Sequence, residues 1–460
     1  MKNGESLQLA VLFFDRNRYY LFIMKYALLI FAILLVFLIS AKIQAQTTKD
    51  FADDWEKQHI SNILPSNVRH RDLQKYLEQL KKLGLKVEEV GRSYANREIY
   101  QIEFGKGTTK IFLWSQMHGD EPTATSALID MFAYLQNNRD KDWVKQLEKT
   151  LTIRAVPMLN PDGAEFYQRY NLQSVDINRD ARALQTPEGQ LLKRLRDDWS
   201  PNIGFNLHNQ QSLTTVGNST NQAAISFLVV TGENQDTEGN ERNKRLSAVM
   251  ISALQNFIGG NIGRYVDNYN PMAFGDKFSD WGTPVILVET GALYGKDEMF
   301  LVKMNFVAFL SAFKALVDGS EKTANPSVYE SIPFNSSGRI YDTIFRRANI
   351  VNITEPPVIT TADVAVNMQR HRAAFIAPTY IRSIGDLSAY RGLEEFDASN
   401  FYIAPRYGFV RVGSSGEFMF YKKTRQIDWK AADLEKTYPP DAIFSLGRWV
   451  KGEELVPKLK

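Results

Sequence analysis

The sequence predicts an α/β body over residues 46–318 and a smaller β-rich region over 325–460. Three observations predict it. From Lys110 to Leu316 apolar, strand-like runs alternate with amphipathic, helix-like ones, as in a sheet flanked by helices. Several of the strand-like runs end in polar residues, where open α/β sheets place their ligands. From about Asn325 the texture changes to short β-rich runs separated by turns, among them Ile340–Phe345, Asn349–Ile353 and Ala373–Ala377, the mark of a small antiparallel domain.

Composition narrows the function classes. The chain has 460 residues, 44% of them apolar and 12% aromatic, enough to build real cores. Its 55 Lys and Arg against 52 Asp and Glu are spread without long single-sign runs, so no nucleic-acid partner is expected. There is no cysteine, which excludes disulfides, thiol nucleophiles and thiolate metal sites. Any histidine-dependent metal site must draw on His59, His70, His118, His208 and His371.

The apolar run Tyr26–Ser40 follows Met24-Lys25 and precedes Ala41–Gln46, the arrangement of a secretory signal cleaved after Ala45. Residues 1–45 are therefore a signal segment, with Met24 the natural start. The body is expected in a periplasm or outside the cell, and membrane-anchored if the signal stays uncleaved. Asp50–Leu83 reads as surface helix, with His59 and His70 solvated.

Val87–Val90, Glu98–Phe104 and Lys110–Trp114 read as strands. The third leads into Met117-His118-Gly119-Asp120-Glu121, followed by a helix from Thr123 to Leu135. His118 and Glu121 can aim a nitrogen and an oxygen at one point, which is half of a zinc site; alone, the pair also fits a helix start. Gly119 permits a tight turn between them, and Asp120 is either a partner of the ligands or a helix-start residue. Thr150–Met158 is a strand ending in the turn Asn160-Pro161-Asp162-Gly163. Arg169, Asn178 and Arg179 follow in a polar stretch. After a helix over Thr186–Asp198, the strand Ile203–His208 delivers His208. A helix from about Asn240 to Ile258 precedes the strand Thr283–Gly291, which carries Glu289, and the helix Met299–Leu316 closes this portion.

His118, Glu121 and His208 thus form a three-ligand set for one Zn2+ with an open position, the pattern of a catalytic rather than a structural site. Glu289 is costly at the end of a buried strand unless it works, and a general base followed by a general acid is the work it suits. Arg169 suits an oxyanion, and Asn178 with Arg179 suits a substrate carboxylate.

This ordered set resembles the carboxypeptidase A-like family of zinc metallopeptidases over roughly Asp72–Val317. The resemblance implies a mixed, roughly eight-stranded sheet flanked by helices, one Zn2+, and removal of C-terminal residues from peptides with a free C-terminal carboxylate. It also implies a mobile tyrosine that closes on substrate, here Tyr265 or Tyr269. The loops between Arg179 and His208 are shorter than is usual in the family, implying a more open cleft. The side-chain pocket is expected along Phe274–Trp281, where Asp276 and Asp280 favour basic residues and Phe274 and Phe278 apolar ones. Two alternatives stay open: an amidase or peptidase acting on cell-wall peptides, and a zinc-free peptide- or glycan-binding protein. The β-rich region, with a surface His371, is expected to pack, to bind glycan or envelope, or to contact a partner.

Overall fold

The computed structural model describes residues 47–233, 237–354, 356–369 and 378–460, together with Met24, Lys25 and Phe31. The expected signal segment apart from those three residues, His371 and the expected strand Ala373–Ala377 lie outside the described residues. The chain divides into two compact units, Met1–Asp54 and Trp55–Lys460. In the first, residues 47–54 are helical; all that follows concerns the second.

Among the described residues nine strands cover the α/β portion: β1 (Lys86–Arg92), β2 (Glu98–Gly105), β3 (Thr109–Ser115), β4 (Leu151–Val156), β5 (Ile203–Asn209), β6 (Thr215–Val216), β7 (Ile225–Val230), β8 (Ile262–Arg264) and β9 (Val285–Thr290). All but β6 form one eight-stranded sheet in the order β1-β2-β4-β3-β5-β9-β7-β8. The central strands β4, β3, β5 and β9 are mutually parallel, while β1 pairs antiparallel with β2, β2 with β4 and β7 with β9, and β8 runs parallel to β7. The mixed sheet is the one expected. Its strands β7 and β8 were not foreseen, and three-residue β8 is too short to show a period of two.

Side chains alternate across the sheet. Phe205 meets Phe309 and Phe313 of the helix Glu298–Asp318 at ring-centroid distances of 6.3 and 6.1 Å. That helix is apolar all round, enough to cross a membrane by composition, because it is buried between the sheet and the helices Thr123–Asn137 and Glu238–Ile258. On the opposite face Phe112 stacks on Phe278 and Trp114 packs tilted against it, with centroids 6.2 and 4.4 Å away. Phe274 and Phe278 belong to a helix, Phe274–Asp280, and are fully buried in this core. They are core residues, not the pocket lining expected of them. His70 is likewise buried, its Nε2 donating to the Glu98 carbonyl at 2.9 Å, rather than solvated.

The C-terminal sheet has the strands β11 (Ile340–Asn352), β12 (Val358–Met368), β13 (Thr379–Gly385), β14 (Arg391–Asp397), β15 (Phe401–Pro405), β16 (Phe418–Lys422), β17 (Ala442–Ser445) and β18 (Arg448–Lys451). It is antiparallel except that β11 pairs in parallel with β14 and then with β15. Two expected strands, Ile340–Phe345 and Asn349–Ile353, are one: a bulge between Phe345 and Ala348, with Arg347 at φ 56°, interrupts the alternation. Phe345 centres its core, within 5.9 Å of the rings of Phe396, Phe418, Phe420, Phe444 and Trp449. A two-residue strand, β10 (Asn335–Ser336), precedes this sheet and pairs with β6 of the α/β portion.

Candidate active site

The chain leaves β3 through Gln116, whose φ of 52° turns the backbone and whose carboxamide donates to the Gly119 carbonyl at 2.9 Å. The positive φ lies there and not at Gly119. Gly119 serves close approach instead: a Cβ on it would lie 2.0 Å from the Gly163 carbonyl carbon and 2.3 Å from the Ala164 nitrogen. The loop carrying His118 is thus pressed onto the Asn160–Gly163 turn. Asn160 holds the two together, its Oδ1 accepting from Gly163 at 2.8 Å and its Nδ2 donating to the Met117 carbonyl at 3.2 Å.

His118, Glu121 and His208 converge as expected, with ligand atoms all within 4.8 Å of one another. His118 Nδ1 is 2.8 Å from Glu121 Oε1, His208 Nδ1 is 2.6 Å from Glu121 Oε2, and the two Nδ1 atoms are 3.1 Å apart. The Asn209 amide donates to Glu121 Oε2 at 3.0 Å and holds the carboxylate in place. Two imidazoles and one carboxylate are the borderline donor set that suits Zn2+. The other nitrogen of His118, Nε2, donates to Asp176 at 3.0 Å, the carboxylate–histidine arrangement that orients a metal ligand. His208 Nε2 is buried without a partner, so its Nδ1 side is the one committed to the cluster. The residues fit a zinc ion.

Burial disfavours a charged imidazole at His118, but the Glu121 charge and the bonds to Asp176 and Glu121 outweigh it and raise the group to about 9. Burial pushes the Glu121 carboxyl up, and the two histidines hold it down further still, below the usual carboxylate range. Burial prevails at His208, which is shifted down and stays neutral.

Asp176 is a member of this cluster that sequence reasoning passed over. It accepts from His118 and from Arg169, whose Nε and outer nitrogen lie 3.0 and 2.9 Å away. Its signal was its place two residues before Asn178, where it caps the turn Ile177–Arg179 by accepting from the Asn178 amide. Asp120 does not share this role, because its buried Oδ1 has no hydrogen-bond partner. Arg169 joins the cluster, 3.2 Å from His118 Nδ1 and 3.3 Å from Glu121 Oε1.

Glu289 stands beside His208 in register across β5 and β9. Burial first, and then the negative Glu121, push its carboxyl well above the usual range, while His118 and Arg169 pull it back. Tyr265 is half-buried and within reach of the charges of Glu289 and Glu121. Tyr269 is exposed and donates to Asp280 at 2.9 Å and Glu233 at 3.1 Å, away from the ligands. Asn178 accepts from the Phe274 amide at 2.9 Å, and exposed Arg179 donates to the Asn178 carbonyl at 2.7 Å. Among the described residues neither of this pair bonds to the three ligands. Asp280 is taken up by Lys277, Tyr269 and the Glu233 amide. Asp276 is buried with an unpartnered Oδ1, and burial raises its carboxyl to about 6.

Residues 72–230 match the family profile described as "Zinc carboxypeptidase". That span contains His118, Glu121, Arg169 and His208 and stops before Glu289. Among curated proteins the chain is 30% identical over 110 residues to "Probable carboxypeptidase 2" of Arthroderma benhamiae, covering 24% of this chain and 20% of that protein. It is 31% identical over 101 residues to "Carboxypeptidase 2" of Trichophyton rubrum, covering 22% and 18%. The chain thus spans about a fifth of the length of the curated relatives it matches. Among solved structures, a metallo-carboxypeptidase from Burkholderia cenocepacia aligns with TM-score 0.46 at 16% identity, over 54% of this chain and 69% of that one.

Proposed function

We propose that this chain, which carries a zinc carboxypeptidase domain over residues 72–230, is an exported zinc metallocarboxypeptidase that hydrolyses the C-terminal bond of peptides. The observation that carries the reading is the convergence of His118, Glu121 and His208 with Glu289 alongside in register. His118 and His208 through Nδ1, and Glu121 through its carboxylate, would hold the ion. When bound, Zn2+ polarises the scissile carbonyl and acidifies the attacking water.

The chain's own residues do the rest. Glu289 takes a proton from the attacking water and returns it to the leaving amine, which requires a carboxyl that changes hands readily near neutral pH; its upward shift suits that task. Arg169, already held beside Glu121 by Asp176, places a guanidinium where negative charge develops on the carbonyl oxygen. Asp176 keeps His118 in the orientation that directs Nδ1 inward. Asp276, with its unpartnered buried oxygen, supplies a counter-charge for a lysine or arginine side chain at the substrate's C-terminus.

The protein from Gln46 onward, loaded with zinc, should cleave blocked dipeptides and lose activity on chelation. Glu289→Gln should keep one zinc per chain while kcat falls by roughly 10²–10⁴. Zinc-free wild-type protein after purification in zinc, or full activity in Glu289→Gln, would sink the reading. One observation favours a second reading, a peptidase of cell-wall peptides: Asn178 is committed to Phe274 and Arg179 faces solvent, so the carboxylate clamp is not built into the ligand cluster. Arg179→Ala decides between them, since only a carboxypeptidase should lose affinity for a free C-terminal carboxylate.

A further inference from the structure

The pairing between β3 and β5 ends before the metal ligands begin. Its last rung joins Ser115 to Leu207, and the chain then leaves β3 through Gln116. His118 and Glu121 therefore lie on a loop that no strand pairing holds to β5, which carries His208. On one flank Asn160 seats this loop against the turn that follows β4. On the other flank, the contacts between the ligands themselves apart, the bonds that join residues 116–123 to β5 among the described residues are all made by Asn209.

The helix Thr123–Asn137 needs such a partner. The first backbone N–H groups of a helix have no acceptor inside it, and Pro122, the residue before this one, makes no side-chain cap. Asn209 supplies a cap from 86 residues away: its Oδ1 accepts from the Thr123 amide at 3.3 Å, and its Nδ2 donates to Thr123 Oγ1 at 2.7 Å. The carboxamide sits one way round because the Thr123 amide can only donate and must face the oxygen. The Asn209 amide meanwhile donates to Glu121 Oε2 at 3.0 Å. One residue thus grips the chain on both sides of Pro122, whose ring limits how far the backbone between can give. Asn209 is itself held firmly, paired with Thr290 of β9, whose carbonyl also accepts from the Gln210 amide at 2.9 Å.

We propose that Asn209 is a positioning residue of the metal site: its carboxamide clips the head of the helix that follows Glu121 onto the strand that carries His208, and so sets the spacing of the ligand set. Glu121 spans the two histidines, with His208 Nδ1 2.6 Å and His118 Nδ1 2.8 Å from its oxygens. Zinc requires its nitrogen and oxygen donors at about 2.0–2.2 Å from one point, so a loop free to drift against β5 would spoil the set. Asn209 acts through Glu121 and Thr123 and not on the ion. The inference rests on the zinc reading of His118, Glu121 and His208.

The test removes the carboxamide and keeps the backbone amide. In the full chain, Asn209→Ala should bind zinc roughly 10- to 100-fold more weakly by chelator competition, the effect of losing a partner behind a metal ligand. With Co2+ in place of zinc, its visible absorption bands should differ from those of wild type, because they report the arrangement of the ligands. Thr123→Val deletes the hydroxyl alone and should share part of the defect, whereas Thr123→Ser keeps the hydroxyl and should bind as wild type does. Adding Thr123→Val to Asn209→Ala should weaken binding no further, since the partner is already gone. If Asn209→Ala only lowers the melting temperature, with zinc affinity and cobalt spectrum at wild-type values, the residue is merely structural and the proposal is overturned. Wild type that binds neither metal overturns the zinc reading and this proposal with it, so the wild-type titration tells the two failures apart. Should Asn209→Ala not fold, Thr123→Val, which leaves Asn209 and its amide in place, carries both measurements.

Discussion

Zinc binding at His118, Glu121 and His208 should release a proton, because the imidazole that must donate a lone pair is held protonated in the metal-free protein. His118 is raised to about 9 by Glu121 and Asp176 against the cost of burial. At pH 7 the ion must displace that proton, and each unit of separation costs a factor of ten, or about 1.36 kcal/mol. Affinity should therefore fall roughly 50-fold, about 2.3 kcal/mol, between pH 9 and pH 7, with log K rising about one unit per pH unit below pH 8 and levelling off above 9. His208 contributes no second proton, since burial keeps it neutral. The apparent dissociation constant can be read by chelator competition from pH 6.5 to 9.5, and the proton count by titration calorimetry in buffers of different ionisation enthalpy. Asp176→Asn should move the break in the curve below 9. For the metal-free fold the sign is the reverse. A raised imidazole stabilises fully below its unfolded value near 6.5, and that stabilisation is lost as pH rises through about 9. A flat affinity from pH 7 to 9 with no proton released would refute the reasoning.

Other perturbations test separate parts of the site. Gly119→Ala forces a methyl group into the Gly163 backbone, which cannot swing aside as a side chain would; stability should drop by about 1–3 kcal/mol by thermal melting, with weaker zinc retention. Arg169→Met should lower kcat by roughly 10²–10³, and the acid limb of the kcat/KM profile should move to higher pH, because the guanidinium helps hold the Glu289 carboxyl down. Asp276→Asn should reduce the preference for a blocked dipeptide ending in Arg over one ending in Phe. In the wild type that preference should fade as pH drops through about 6, where Asp276 gains its proton. A preference unchanged by either would remove Asp276 from the side-chain pocket.

His118, His208 and Glu289 were legible because each sits within three residues of a strand end, and the apolar run before it announces the strand; Glu121 was legible by its spacing of three from His118. His118 follows β3, His208 and Glu289 lie within β5 and β9, and one sheet edge gathers all three. Asp176 was not legible, since its value lies in a bond to His118 made 58 residues away. Asn335, whose side chain bonds Gln210 across 125 residues, was not legible either, because it lies in the region read as a separate β-rich domain. The Phe274–Trp281 segment misled for a different reason. Phe274 and Phe278 are spaced as one face of a helix, and that spacing marks a buried stripe as readily as a pocket wall. In the C-terminal sheet, β12 and β13 went unread because their runs mix threonine, asparagine and serine with apolar residues, and the bulge in β11 broke its alternation.

The electrostatics of the site explain why these less visible residues matter. Glu121 must stay ionised to bind a cation, and its charge is one of the causes that keep Glu289 protonated. Left alone, the two carboxylates would oppose each other, as like charges sharing a site do. His118 and Arg169 are the groups that ease the conflict, and both are fixed by Asp176. Asp176 is thus more than an orienting partner for one ligand. By holding Arg169 3.3 Å from Glu121 it keeps a permanent positive charge beside that carboxylate, and the same charge pulls the Glu289 carboxyl down.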